Sequence, residues 1–172
     1  EASDADTVVN SILSFDGLLP SVSALKSKKR LALANKESLV TAGELIMPLA
    51  KVCGTQIIPV DSEHSAIWQC IGENRRTDIK RLILTASGGP FFGFSPERLR
   101  NVTLEDTLCH PTWRMGKKIT VDSATLANKA FEIIEAVRLF DVLPSQVEVV
   151  VHRQSIIHSM VEYIDNAVLA QL

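Results

Sequence analysis

Residues 31–60 read LALANKESLVTAGELIMPLAKVCGTQIIPV, and the order of patterns in this stretch decides the fold. Leu31-Ala32-Leu33-Ala34 is an apolar run of buried-strand length. Ser38 opens a helix that continues to about Val52, and Gly54 ends it. Gln56 to Val60 is a second strand. Strand, helix and strand with short links is the rhythm of a parallel sheet with crossover helices. On the N-terminal side, Ala5 to Phe15 has apolar residues at helical spacing, with Gly17 where a cap would sit, and a short helix covers Ser21 to Lys26. On the other side, Glu63 to Ile71 reads as a helix, Arg81 to Thr85 as a buried strand and Pro96 to Leu99 as a helical turn. Ala124 to Phe140 is the strongest helical pattern. Val147 to Val151, Ile156 to Tyr163 and Val168 to Leu172 read as strands, with a turn at Asp165-Asn166. The predicted class is α/β. Residues 1–60 form the tail of an open parallel sheet, and residues 61–172 form a second α/β (α+β) unit with a strand-rich, mixed sheet.

The bulk properties narrow the function. The chain has 172 residues, 46% of them hydrophobic and 22% charged, with a net charge of −2. A nucleic-acid binder normally carries a basic stripe, so nucleic acid is not an expected partner. No apolar run is long enough to span a bilayer, and no membrane partner is expected. Cys53, Cys70 and Cys109 show no Cys-x-x-Cys spacing, which argues against a zinc site or a disulfide framework. The chain starts at Glu1 inside an apparent helix and stops at Leu172 inside an apparent strand, so it reads as the interior of a larger protein.

Four polar segments carry more chemistry than a core needs. Asp61 and Glu63 follow the second strand. Residues two apart in extended backbone point the same way, so both carboxylates can face one cation. The alternative is an acidic helix start capped by Asp61 or Ser62. Asn128, Lys129 and Glu132 share a helix face, as metal and phosphate groups or as a solvated face with a Lys-Glu pair. Ser123 is placed at the start of that helix, where backbone N–H groups favour an anion. Ser87-Gly88-Gly89-Pro90 follows a strand, as a phosphate loop or a plain turn. His110, Trp113 and Met115 lie in a mostly polar stretch that suits a lid, although Trp113 equally suits the core. Asn35-Lys36-Glu37 follows the first strand, where ligands of parallel sheets bind. All-oxygen ligands favour Mg²⁺ or Mn²⁺. His64, His152 and His158 default to structural roles.

In this order, Leu33 to Ser38, Val60 to Ala66, Thr85 to Pro90, His110 to Lys129 and Gln154 to Met160 resemble the 1-deoxy-D-xylulose 5-phosphate reductoisomerase family. The resemblance implies an NADPH-dependent rearrangement and reduction of a phosphosugar, giving 2-C-methyl-D-erythritol 4-phosphate in non-mevalonate isoprenoid biosynthesis. It implies that residues 1–60 end a Rossmann-like NADPH domain and that residues 61–172 hold the catalytic site. Asp61, Glu63 and Glu132 match the Mg²⁺ or Mn²⁺ ligands. Lys36, Ser62, Glu63, His110 and Glu132 match residues at the reacting carbons. Ser87, Ser123, Asn128 and Lys129 match the phosphate site, and Trp113 and Met115 the flap over the substrate. Asn35, Glu37 and Gly116 match positions near NADPH. A homodimer in the bacterial cytoplasm, or alternatively in a plastid-type organelle, goes with the family. The Gly-x-Gly-x-x-Gly fingerprint is missing, so the isolated chain is expected to bind NADPH poorly. The alternatives are a non-catalytic metal- and phosphosugar-binding or dimerisation fragment of that enzyme, and a different NADPH-dependent reductase.

Overall fold

A computed structural model describes residues 4–73 and 76–172. The expected helical setting of Glu1 lies outside the described residues. Two sheets carry the architecture. The first is β1 (Thr7–Asn10), β2 (Arg30–Leu33) and β3 (Ile57–Pro59), all parallel, with Val8 beside Leu31 and Leu31 beside Ile57. Helices α1 (Leu18–Lys26) and α2 (Lys36–Val52) make the crossovers. The second sheet has the order β5-β4-β6-β7, from β4 (Ile79–Ala86), β5 (Val147–Val151), β6 (Met160–Tyr163) and β7 (Val168–Ala170). β4 runs parallel to β5 and antiparallel to β6, so this sheet is mixed, and the α/β class stands.

In sequence α3 (Ser62–Ile71) links the two sheets, while α4 (Pro96–Leu99), α5 (Leu104–Leu108), α6 (Lys117–Ala124) and α7 (Ala127–Phe140) lie between β4 and β5 of the second sheet. One buried cluster includes Leu31, Leu33 and Ile46 from the N-terminal part, Ile67, Leu82 and Leu84 from the centre, and Phe140 and Val161 beyond. α2 and α7 come so close that a Cβ on Gly43 would lie 2.8 Å from Arg138 Cγ. α2 bends near this contact, with non-helical angles at Ala42. Among the described residues, no helix is long and apolar enough to cross a membrane. The three cysteines are free.

Three sequence expectations need correction. Ala5 to Phe15 is not a helix: Thr7–Asn10 forms β1, and a 3₁₀ turn covers Ser14–Gly17. β-Branched residues lose rotamer freedom in a helix, and a parallel partner strand was available. The pattern from Ala124 to Phe140 holds a break, because Leu126 adopts a left-handed conformation (φ 61°) that ends α6 and restarts the chain as α7. Ile156 to Ser159 is not strand. Ser155 and Ser159 have positive φ, and only Met160–Tyr163 pairs in the sheet.

Asn35 shows how the N-terminal unit positions the site. Its Oδ1 accepts from the Ser38 backbone N–H at 3.0 Å, capping α2, and its Nδ2 donates to the carbonyls of Ile12 and Ser14. The cap sits so tightly against Gly17 that a Cβ there would fall 2.6 Å from Asn35 Cγ. Asn35→Ala removes the cap and the hydrogen bonds to two partly buried carbonyls. It is expected to cost at least about 1 kcal/mol in denaturant unfolding.

Candidate active site

The carboxyl ends of β2, β3 and β4 bring the polar segments together. Lys36 starts α2 directly after β2, Asp61 and Glu63 open α3 after β3, and Ser87 follows β4. From the opposite side, α7 supplies Asn128, Lys129 and Glu132 along one face. Asp61, Glu63 and Glu132 each offer an oxygen, and these atoms all lie within 4.8 Å of one another. Glu63 is in the first turn of α3, and Asp61 precedes it without a capping hydrogen bond. The carboxylates therefore converge from a helix start, not from extended strand.

Two lysines are threaded through this cluster. Lys36 Nζ lies 2.6 Å from Asp61 Oδ2 and 3.3 Å from Glu132 Oε1, and donates to Asn128 Oδ1 at 2.8 Å. Lys129 Nζ lies 3.2 Å from Glu63 Oε1, pairs with Glu132 and donates to the Thr85 carbonyl. Three carboxylates with two ammonium groups leave an excess negative charge, which a divalent ion would reverse. Burial alone would lower the Lys36 pKa, but the Asp61 and Glu132 carboxylates raise it above its ordinary value. Burial and the neighbouring Glu63 raise Glu132, against the pull of Lys129. For Asp61, contact with His64 and the charge of Lys36 outweigh burial and hold the carboxyl well below the usual range. All three carboxylates are hard oxygen donors, so the set fits Mg²⁺ or Mn²⁺.

A cavity of about 280 Å³ opens beside the carboxylates. Ser62, Ser87, His110, Trp113, Met115, Ser123, Asn128 and Lys129 all line it. Ser62 Oγ donates to Glu63 Oε2 at 2.7 Å. His110 Nδ1 accepts from the backbone N–H groups of Thr112 and Trp113 at 3.2 and 3.0 Å. Its other nitrogen, Nε2, therefore carries the proton of the neutral ring and donates to Ser87 Oγ at 2.9 Å. Burial keeps His110 below its ordinary pKa and favours that neutral form. The Ser87 hydroxyl proton is then directed elsewhere and can serve an anion. Gly89 is backed against the Ser123 carbonyl, with φ +67° and only 2.7 Å for a Cβ. Only glycine fits there, and this seats the loop after β4 on the end of α6.

Ser123 occupies the last turn of α6, not a helix start, and donates to the Ile119 carbonyl at 2.7 Å. It does not start the following helix, because the chain turns at Leu126 and α7 begins at Ala127. Trp113 is 46% exposed, so the core alternative fails. Its ring sits 6.5 Å from that of His158, which also lines the cavity. Trp113→Ala is expected to leave unfolding within about 0.5 kcal/mol of wild type while weakening binding of a cavity ligand. Global unfolding of the variant would contradict this. Asn35, Glu37 and Gly116 do not line the cavity. Asn35 is buried in its cap, Glu37 pairs with Lys118 at 2.9 Å, and Gly116 is exposed ahead of α6.

His64 and Glu135 carried no signal of a site in the sequence. Both are fully buried. The clue available was a second carboxylate three residues after Glu132, close to the same face of the helix.

Residues 57–140 match the family model for the 1-deoxy-D-xylulose 5-phosphate reductoisomerase C-terminal domain. Residues 1–43 match that for 1-deoxy-D-xylulose 5-phosphate reductoisomerase. The chain belongs to the 1-deoxy-D-xylulose 5-phosphate reductoisomerase family. The reductoisomerase of Thermoanaerobacter sp. (strain X514) is 58% identical over 169 residues, 98% of this chain and 44% of the relative. That of Chlorobium phaeobacteroides is 59% identical over 171 residues, 99% of this chain and 44% of the relative. A reductoisomerase crystal structure in complex with NADPH, fosmidomycin and magnesium superposes with a TM-score of 0.93 at 46% identity. It covers 99% of this chain, which covers 44% of it. The Zymomonas mobilis enzyme in complex with NADPH gives 0.90 at 45% identity, covering 98% of this chain and 43% of that one. The chain thus spans less than half the length of these reductoisomerases.

Proposed function

We propose that this chain forms the metal- and substrate-binding centre of an NADPH-dependent reductoisomerase that converts 1-deoxy-D-xylulose 5-phosphate to 2-C-methyl-D-erythritol 4-phosphate. The observation that carries the reading is the convergence of Asp61, Glu63 and Glu132 within 4.8 Å, at the edge of a cavity that also holds Ser87, Ser123, Asn128 and Lys129. Asp61, Glu63 and Glu132 would hold Mg²⁺ or Mn²⁺. When bound, the metal supplies Lewis-acid polarisation of the substrate's keto and hydroxyl oxygens, and NADPH supplies the hydride.

The chain's own residues do the positioning. Lys129, Asn128, Ser87 and Ser123 bind the phosphate, and this remote contact fixes the reacting end. Lys36 and Ser62 stand at the carboxylates, where the ammonium donates to substrate oxygens and balances developing negative charge. His110 orients the Ser87 hydroxyl. Trp113 and Met115 exclude water from above. Glu37 and Gly116, at the starts of α2 and α6, lie beside NADPH, and Asn35 supports them by fixing the start of α2. Residues 1–60 belong with the NADPH unit and residues 61–172 with the catalytic unit. The bacterial sources of the relatives support a bacterial cytoplasmic setting, and the exposed Val149, Val168 and Leu169 on edge strands support a homodimer. In the complete protein carrying this chain, NADPH oxidation is expected only with the phosphosugar and Mg²⁺ or Mn²⁺ together. Oxidation that persists after chelation and metal-free dialysis would overturn the reading.

A further inference from the structure

Glu135 lies one helical turn beyond Glu132 on α7 and points to the same inward face. It is 1% exposed, and the reaction proposed above gives it no task. A carboxylate buried this deeply needs a compensating partner. Its ion-pair partner is His64, whose Nδ1 lies 3.5 Å from Glu135 Oε2 and 3.7 Å from Asp61 Oδ2. No hydrogen bond closes either His64 Nδ1 or Glu135 Oε2, so the contact is electrostatic.

His64 is held on its other edge. Its Nε2 lies 2.9 Å from the Glu132 carbonyl oxygen, which only accepts, so Nε2 carries a proton and donates. Its ring stacks on Phe140, with centroids 6.3 Å apart and planes 11° apart. The imidazole therefore spans the site from behind: one nitrogen grips the backbone of one carboxylate residue, and the other sits between two further carboxylates. One oxygen of Asp61, Oδ2, meets both cationic neighbours, Lys36 Nζ at 2.6 Å and His64 Nδ1 at 3.7 Å.

We propose that Glu135 is a positioning residue: through His64 it sets the orientation of the Asp61 carboxylate for the divalent cation. The inference rests on the metal reading above. Glu135 does not line the cavity, so its influence passes through the imidazole. Groups that orient a ligand in this way typically change metal affinity 10–100-fold when removed. Asp61, His64 and Glu135 also lie within 4.8 Å of one another, a spacing that would itself suit a metal, so the test counts ions as well as affinity.

The experiment is calorimetric Mn²⁺ titration of the complete, chelator-treated protein carrying this chain, with circular dichroism and melting temperature recorded for every variant. Wild type is expected to bind one ion per chain. Glu135→Gln is expected to bind it about tenfold or more weakly with its circular dichroism unchanged. His64→Asn, whose amide sits near the Nδ1 position, is expected to retain more affinity than His64→Ala. Equal affinity in wild type and Glu135→Gln overturns the proposal and leaves the metal reading standing. Two ions per chain, falling to one in Glu135→Gln, also overturns it, because Glu135 would then be a ligand. No binding by wild type overturns the metal reading and this proposal together. Where Glu135→Gln does not fold, the two His64 variants decide, and equal affinities between them overturn the proposal.

Discussion

Glu132→Gln is expected to reduce Mn²⁺ affinity by roughly 100-fold or more, beyond the range for groups that merely orient ligands, and to abolish most turnover of the complete protein. Glu132 is 1% exposed and meets three donors: Lys36, Asn128 and Lys129. Glutamine keeps the volume and one acceptor oxygen, so the packing of α7 is preserved. The negative charge is lost, and two ammonium groups then face two carboxylates with no excess charge to attract a cation. The second oxygen becomes an amide that turns its hydrogens toward Lys129. The variant should therefore fold, as circular dichroism will show, yet fail to titrate with Mn²⁺. Near-normal NADPH oxidation would remove Glu132 from the metal site.

Phe140→Ala has the largest expected effect on stability. Phe140 is 1% exposed and belongs to the cluster that joins the β2 residues Leu31 and Leu33 to Leu82, Leu84 and Val161 of the second sheet. Truncating a buried phenylalanine costs about 3–5 kcal/mol through lost transfer energy and the cavity left behind. For a chain of this size, that is a fall on the order of 10 °C in melting temperature. The ring also carries the stacked His64. The surviving folded fraction should consequently bind Mn²⁺ more weakly, linking core packing to the site. A loss below about 1 kcal/mol in denaturant unfolding would contradict a core shared across both sheets.

The parts of the fold that could be read from sequence were those whose signals are local. β2, α2 and β3 announce themselves by an apolar run, a polar helix start and a glycine after the last turn. β1 did not, because Val8, Val9 and Ile12 fall at spacings that also fit a helix, and only the pairing of Val8 with Leu31 decides between them. The break at Leu126 was equally hidden, since leucine favours helix and nothing in its neighbours demands a left-handed residue. Its consequence was a misplaced Ser123.

The candidate site divides in the same way. Asp61, Glu63, Lys129 and Glu132 stood out by residue type, but their pairing did not. Lys36 meets Glu132 across 96 positions, and Lys129 meets Glu63 across 66. A lysine that reads as a helix-start cation becomes a buried counter-charge only once α2 and α7 pack. His64 and Glu135 illustrate the limit. Each looks like one more polar residue on a helix, and only the fold buries them beside each other and Asp61.

The most direct measurement is a calorimetric Mn²⁺ titration of the protein carrying this chain, with and without a phosphonate hydroxamate as substrate mimic. Saturable binding that the mimic tightens is expected, because the carboxylate cluster and the residues proposed for the phosphate border one cavity. Absence of Mn²⁺ binding, or binding to which the mimic is indifferent, would contradict it.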